Sequence, residues 1–336
     1  MAGRPQEPDE LVGDIVAVAS PAPGGTLREY VEFLRGCGQT CLLSTEGKHA
    51  WISEMPGVLE RFPGECTDPV NPAELREAFS LRGMRIVNYN RTVDGDHPPT
   101  CFDYICRNPE YHIDGLDSNA RRDIRRGLRS FVVRLCSWDE LAEHGYAPHA
   151  DTFERHQYAP PPPGGIRRYV EERRGTPFFD IWGAWEGETL AAWLAVIKVD
   201  DWAVVHWANS STAALRNCPN NAMLYVATRR LLVDEKRVFV SYGLSSVQAG
   251  PTHLGLHKYK VRMGYEAIPR HRVFVPRPLV GLLLKPKVAS WMWDRMERIF
   301  PKSPFVRKVA GVSRLLAGRE RAPLGWAEEK TGKEET

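Results

Sequence analysis

The chain has 336 residues, 26% of them charged, and a formal net charge of +3. That length accommodates two domains of ordinary size, while so small a net charge singles out no class of partner. No window of about 20 apolar residues occurs, so no transmembrane helix is expected. The polar start MAGRPQEPDE has no apolar secretory core, which points to the cytoplasm.

Residues 1–10 read as disordered, and Leu11 to Ala19 as a weak strand ending in the turn SPAPGG. Thr26 can cap a helix, LREYVEFLRGCG, whose Leu27, Tyr30, Val31 and Leu34 share one face. Strands follow at Cys41 to Leu43 and His49 to Ile52. Asn71 caps the helix PAELREAFSLRG with Pro72 at its first position, and RIVNYN from Arg85 is a further strand. Asp117 or Ser118 opens NARRDIRRGLRS, a helix with five Arg against one Asp between Arg121 and Arg129. Then come a strand from Phe131 to Leu135, a helical region from Ser137, a loop from Pro160 and a helix from Ile166 to Arg174.

An antiparallel set of strands is predicted at 178–185, 190–199 and 202–208. The helix PNNAMLYVATRRLLVDEK leads to a strand from Val238 to Tyr242, and Arg272 to Val275 is one more. Strands that first form a meander and then alternate with helices indicate an α/β protein with a mixed sheet. Beyond it, Trp291 to Phe300 and Phe305 to Leu316 are basic amphipathic helical pieces. Lys285 to Arg321 holds ten Lys/Arg against three acids, and the last ten residues read as disordered. Trp291, Met292, Trp293, Ile299 and Phe300 beside these cations suit either packing on the protein or peripheral contact with an anionic membrane.

Seven cysteines, at 37, 41, 66, 101, 106, 136 and 218, are odd in number and irregular in spacing. They contain no C-x-x-C and have no zinc-spaced His pair beside them, so reduced thiols and no metal site are expected.

Four groups could carry chemistry. The helix beginning at Pro219 offers unpaired N–H groups to a phosphate, with Arg216 as a supplementary donor. His206 lies in the apolar strand WAVVHWA, on the face of Trp202 and Val204, and an ordinary pKa would suit a base. Tyr259 and Lys260 fall in a short basic segment after VFVSYG and a polar loop. The Arg121–Arg129 helix could meet RNA phosphate or an anionic acceptor, or simply face solvent.

Two stretches carry a resemblance. Tyr242-Gly243, Gly255-Leu256, Tyr259-Lys260 and Met263-Gly264 follow "DFG, loop, G-L-x-x-F-K-x-x-F-G", with Ser241 where Asp is usual and Met263 where Phe is usual. Leu116, Ser118, Arg121, Ile124, Arg125 and Gly127 follow "L-S-x-x-x-R-x-x-I-R-x-A" with small offsets. In this order they resemble the GNAT acyltransferase superfamily, and most nearly its two-lobed Fem-type members.

The resemblance implies a degenerate N-terminal α/β lobe over 11–115, a GNAT-like acyl-CoA N-acyltransferase fold over 116–278 and a basic tail over 279–336. It implies transfer of an acyl group, with acyl-CoA as co-substrate, to an amine on a small molecule or cell-envelope precursor. Arg216, Asn217, Asn220, Asn221 and Ala222 would then form the pyrophosphate loop, although its usual glycines are absent. Tyr259 would be the acid, and Lys260 would stabilise the oxyanion or bind acceptor phosphate. Two alternatives stay open: a Fem-type transferase that takes its acyl group from aminoacyl-tRNA, and a catalytically inactive binding protein on the same fold.

Overall fold

The computed structural model describes residues 22–94, 98–245, 251–301 and 303–319. The predicted disorder of 1–10, the strand at 11–19 and the disorder of the last ten residues lie outside them. Helix α1 (Leu27–Gly36) forms as its pattern predicts. Thr26 and Glu29 make a reciprocal capping box, and Leu27, Tyr30, Val31 and Leu34 are all buried. Strands β1 (Cys41–Leu43), β2 (Ala50–Met55) and β3 (Val58–Phe62) follow. Helix α2 (Pro72–Ser80) starts on the Asn71 cap but stops short of its predicted end, because Leu81 is already extended. Next come β4 (Ile86–Arg91) and β5 (Cys101–Cys106). Neither β3 nor β5 is among the predicted strands. All six residues of β5 are buried, so it has no in–out alternation to read.

Helix α3 (Ser118–Ser130) is capped by the Asp117 carboxylate, which accepts from the Asn119 and Ala120 amides. It is followed by β6 (Val132–Leu135), α4 (Trp138–His144), α5 (Tyr146–Arg155) and α6 (Gly164–Arg173). Strands β7 (Phe179–Glu186), β8 (Thr189–Val199) and β9 (Trp202–Ser210) form the predicted meander. Helix α7 (Pro219–Arg229) ends in a π-helical turn over Arg230–Asp234, shorter than its apolar run suggests. The chain continues through β10 (Phe239–Leu244), α8 (Pro251–Arg262) and β11 (Glu266–Pro276). It closes with α9 (Pro278–Leu284), α10 (Lys287–Ile299) and α11 (Pro304–Leu316).

The chain divides into two compact units. One comprises residues up to Gly25, Ile105–Tyr242 and Arg262–Tyr265. The other comprises Thr26–Tyr104, Gly243–Val261 and residues from Glu266 onward. This division differs from the cut at 115/116 drawn from sequence. Residues 243–261 and 266–278, assigned there to the 116–278 domain, cluster with the early part of the chain. A physical cause is the six-residue antiparallel ladder between β11 and β4, from His271↔Arg91 to Pro276↔Ile86.

In the 105–242 unit β6, β7, β8 and β9 pair antiparallel in that order, and β10 joins β9 in parallel. Leu141, Ile166, Tyr169, Val170, Trp185 and Trp193 form part of one apolar cluster there. Lys198 is fully buried, with its ammonium 2.8 Å from the Asp180 carboxylate and 3.2 Å from that of Glu235. Asp180 also accepts from the Ala22 amide at 2.7 Å. In the other unit the order is β1-β2-β3-β4-β11, antiparallel except for the β3–β4 pair. Trp51, Leu59, Ala78, Met84 and Val87 pack together beside it. Among the described residues no helix is long and apolar enough to cross a membrane.

Candidate functional site

Two parallel strands that part company create an opening in a sheet, and β9 and β10 do so. Their ladder holds only from Phe239↔Trp202 to Ser241↔Val204, although β9 runs on to Ser210. On its other edge β9 carries a bulge: Val196 pairs with Val205 and Ala195 with Trp207, which makes His206 the extra residue. The bulge breaks the alternation expected from the sequence. His206 stacks on the neighbouring Trp207, with ring centroids 5.3 Å apart. The expectation of an ordinary imidazole pKa is corrected as well. Burial, helped by the Arg173 guanidinium, pushes His206 down to about 4, which makes it a poor acceptor for an ammonium proton at neutral pH.

The loop after β9 reaches helix α7, whose N-terminus has no side-chain cap. Cys218 takes the N-cap position in a left-handed conformation with φ 58°, and Pro219 occupies the first turn. The Asn217 and Cys218 amides are used in the turn before it, bonding Ala214 O and Leu215 O, and the Ala222 amide bonds Cys218 O. Pro219, Asn220 and Asn221 then form the first turn of the helix, at the positive end of its dipole. The Asn220 side chain donates to Ser210 Oγ at 3.1 Å and that of Asn221 to Met263 Sδ at 3.6 Å. Both side chains are thus engaged within the protein.

Helix α3 lies against this N-terminus. Arg126 donates to the Arg216 backbone carbonyl at 3.3 Å, which ties the Arg-rich helix to the turn before α7, two features that sequence treats as separate. Gly127 allows the contact, because a Cβ there would lie 2.6 Å from Cys218 O and 2.7 Å from Ala222 Cβ. Gly127→Val is accordingly expected to destabilise the protein by about 1–3 kcal/mol through overpacking. A urea midpoint unchanged from wild type would contradict that expectation. Ala222 belongs to this packing contact and is buried.

Tyr259 and Lys260 lie on α8, in the other unit. Tyr259 is half-buried, whereas His257 and Lys260, three positions apart, are buried. Lys260 Nζ stands 4.1 Å from the centroid of the Tyr104 ring. The Tyr104 hydroxyl and His257 Nδ1 share a hydrogen bond of 3.0 Å. Burial pushes the Lys260 amine down to about 7, although the buried Asp103 carboxylate pulls the other way. Asp103 has a second cation nearby, Arg270 Nε at 3.9 Å. Lys260 can therefore exchange a proton near neutrality, which a solvated lysine cannot do.

The sequence reading missed Asp103, Tyr104, His257 and Arg270 as surroundings of Lys260. One signal was available: Asp103 is the lone charge in the apolar run CFDYIC, and a buried carboxylate needs partners. It also missed the role of Gly127, which no local pattern reveals.

No protein-family model matches the sequence, and no curated protein matches it. Solved structures do. The chain is similar to FemX, with a TM-score of 0.54 at 10% identity, over 82% of this chain and 97% of that one. It is similar also to the C-terminal domain of a putative lysylphosphatidylglycerol synthetase from Agrobacterium fabrum, with a TM-score of 0.49 at 12% identity, over 86% and 95%. A tandem GNAT protein from the clavulanic acid biosynthesis pathway gives a TM-score of 0.42 at 13% identity, over 80% and 95%. At such identities the likeness is one of fold.

Proposed function

From a GNAT-type, Fem-like fold, we propose that this protein is an acyltransferase that moves an acyl group from acyl-CoA to an amine on a small molecule or cell-envelope precursor. The observation that supports it most is the parting of β9 and β10 beyond Val204, followed directly by the uncapped α7 N-terminus. An opened strand edge suits a thioester carbonyl, and a helix N-terminus beside Arg126 and Arg216 suits a pyrophosphate.

In this reading the acceptor nitrogen attacks the thioester carbon. The C–N bond forms as the C–S bond breaks, and the CoA thiolate departs. Lys260, neutral above about pH 7, takes the proton that the new ammonium must lose. Tyr259 supplies the proton that the thiolate takes up. His206 has no proton-transfer role in this scheme.

Arg126→Ala is expected to weaken acyl-CoA binding about tenfold or more, the loss typical of a charge-assisted phosphate contact. Calorimetry with acetyl-CoA and a long-chain acyl-CoA measures it, and equal affinity in the variant would remove Arg126 from the donor site. The exposed Arg122, Arg126 and Arg129 on α3 favour a second reading, in which aminoacyl-tRNA is the donor. Salt-sensitive tRNA binding together with silence toward both acyl-CoAs would replace the first reading with the second. Silence toward every donor would leave a binding protein without turnover.

A further inference from the structure

Surface helices normally turn their apolar stripe inward and their polar side to water. Helix α10 does the reverse. Val288, Trp291, Met292 and Ile299 share one helical face and are 74%, 62%, 54% and 57% exposed. Three of its polar residues, Ser290, Asp294 and Glu297, face inward instead. Buried Ser290 accepts from Arg319 at 2.7 Å, Asp294 and Glu297 accept from Arg314 at 2.8 and 2.9 Å, and Asp294 lies 2.9 Å from Arg319. Helix α9 extends the pattern, with Leu279, Leu282 and Leu283 exposed at 78%, 70% and 67% while Gly281 and Leu284 are buried. Nine of the thirteen large hydrophobic side chains exposed among the described residues fall between Leu279 and Phe305. That concentration is far from the scattered single residues of an ordinary surface.

The charge on this face has one sign. The only acids between 278 and 319 are Asp294 and Glu297, and both are engaged by α11. Exposed Lys285, Lys287, Arg295 and Arg298 border the apolar stripe. Two copies of such a face would repel each other, whereas anionic headgroups would neutralise it. We infer that α9 and α10 form an interfacial docking surface for an anionic lipid bilayer. Leu279, Leu282, Leu283, Trp291 and Met292 enter the acyl–headgroup boundary, and the bordering lysines and arginines meet lipid phosphates. This inference is independent of the transferase reading, because it concerns only α9–α11 and requires no turnover.

The test is co-sedimentation of the full-length protein with vesicles of phosphatidylcholine alone and of phosphatidylcholine mixed with phosphatidylglycerol. Binding to the mixed vesicles that weakens with salt is the expected result. A Leu282→Ser/Trp291→Ser/Met292→Ser variant should lose at least about tenfold in partitioning. All three side chains are exposed, so its thermal melt should match wild type. Lys285→Glu/Lys287→Glu should lose about fivefold or more for each cation reversed and flatten the salt dependence. The inference is overturned if wild type ignores the mixed vesicles, or if the triple variant binds them as well as wild type does. It is overturned too if sedimentation velocity shows self-association through this face without vesicle binding, which would make a second copy the occupant.

Discussion

Replacing Lys260 by alanine is expected to lower turnover about 10²-fold, and at least tenfold, while leaving the fold intact. The expectation rests on burial of the amine against the Tyr104 ring, which brings its pKa to about 7. A base with that pKa gives kcat/KM an acid limb near pH 7, because the protonated amine accepts nothing. The limb should vanish in Lys260→Ala along with the rate. A variant within a factor of about two of wild type, or one that keeps the limb, would take Lys260 out of the mechanism.

Stability carries an independent signature of the same burial. An ordinary lysine holds its proton up to 10.5, and Lys260 in the fold releases it above about 7. Between these values the unfolded chain binds the extra proton, so wild-type stability rises with pH across that window. Lys260→Met should lack this rise, as urea titrations at several pH values would show.

The second large effect is structural. Lys198→Ala should cost about 3–5 kcal/mol of stability, the usual penalty for removing one member of a buried ion pair. Lys198 and Asp180 are both buried, and without the ammonium the Asp180 carboxylate keeps the Ala22 amide as a partner but loses its neutralising charge. Loss of less than about 1 kcal/mol in urea denaturation would contradict this and take the Lys198–Asp180 pair out of the stability of the fold. A Lys198→Met/Asp180→Leu double variant should recover much of the loss, because the buried carboxylate leaves with its cation while Glu235 keeps Arg237 at 3.4 Å.

Much of the fold was legible because its signals are local. The capping box at Thr26, the Asn71 cap and the Asp117 cap each placed a helix start at the right residue or beside it. The runs from 178 to 208 gave the meander β7–β9, since antiparallel neighbours follow one another along the chain. The motif around Tyr242-Gly243 and Lys260 pointed to the GNAT-type fold, and Gly243 does adopt φ 68°, a conformation that favours glycine.

Tertiary structure alone decided the rest. It placed β11 against β4 and α8 against Tyr104, and residues 243–261 and 266–278 thereby join company that no neighbouring residue specifies. It made His206 a bulged residue with a pKa of about 4, and it surrounded Lys260 with Tyr104 and Asp103, distant in sequence. It also turned the apolar stripe of α10 outward, although its periodicity alone fits an inward face equally well. The physical reason is common to all of these. Caps and periodicities are set by residues within a few positions of one another, whereas burial, and with it the pKa shifts of His206 and Lys260, depends on which distant segments the folded chain brings into contact.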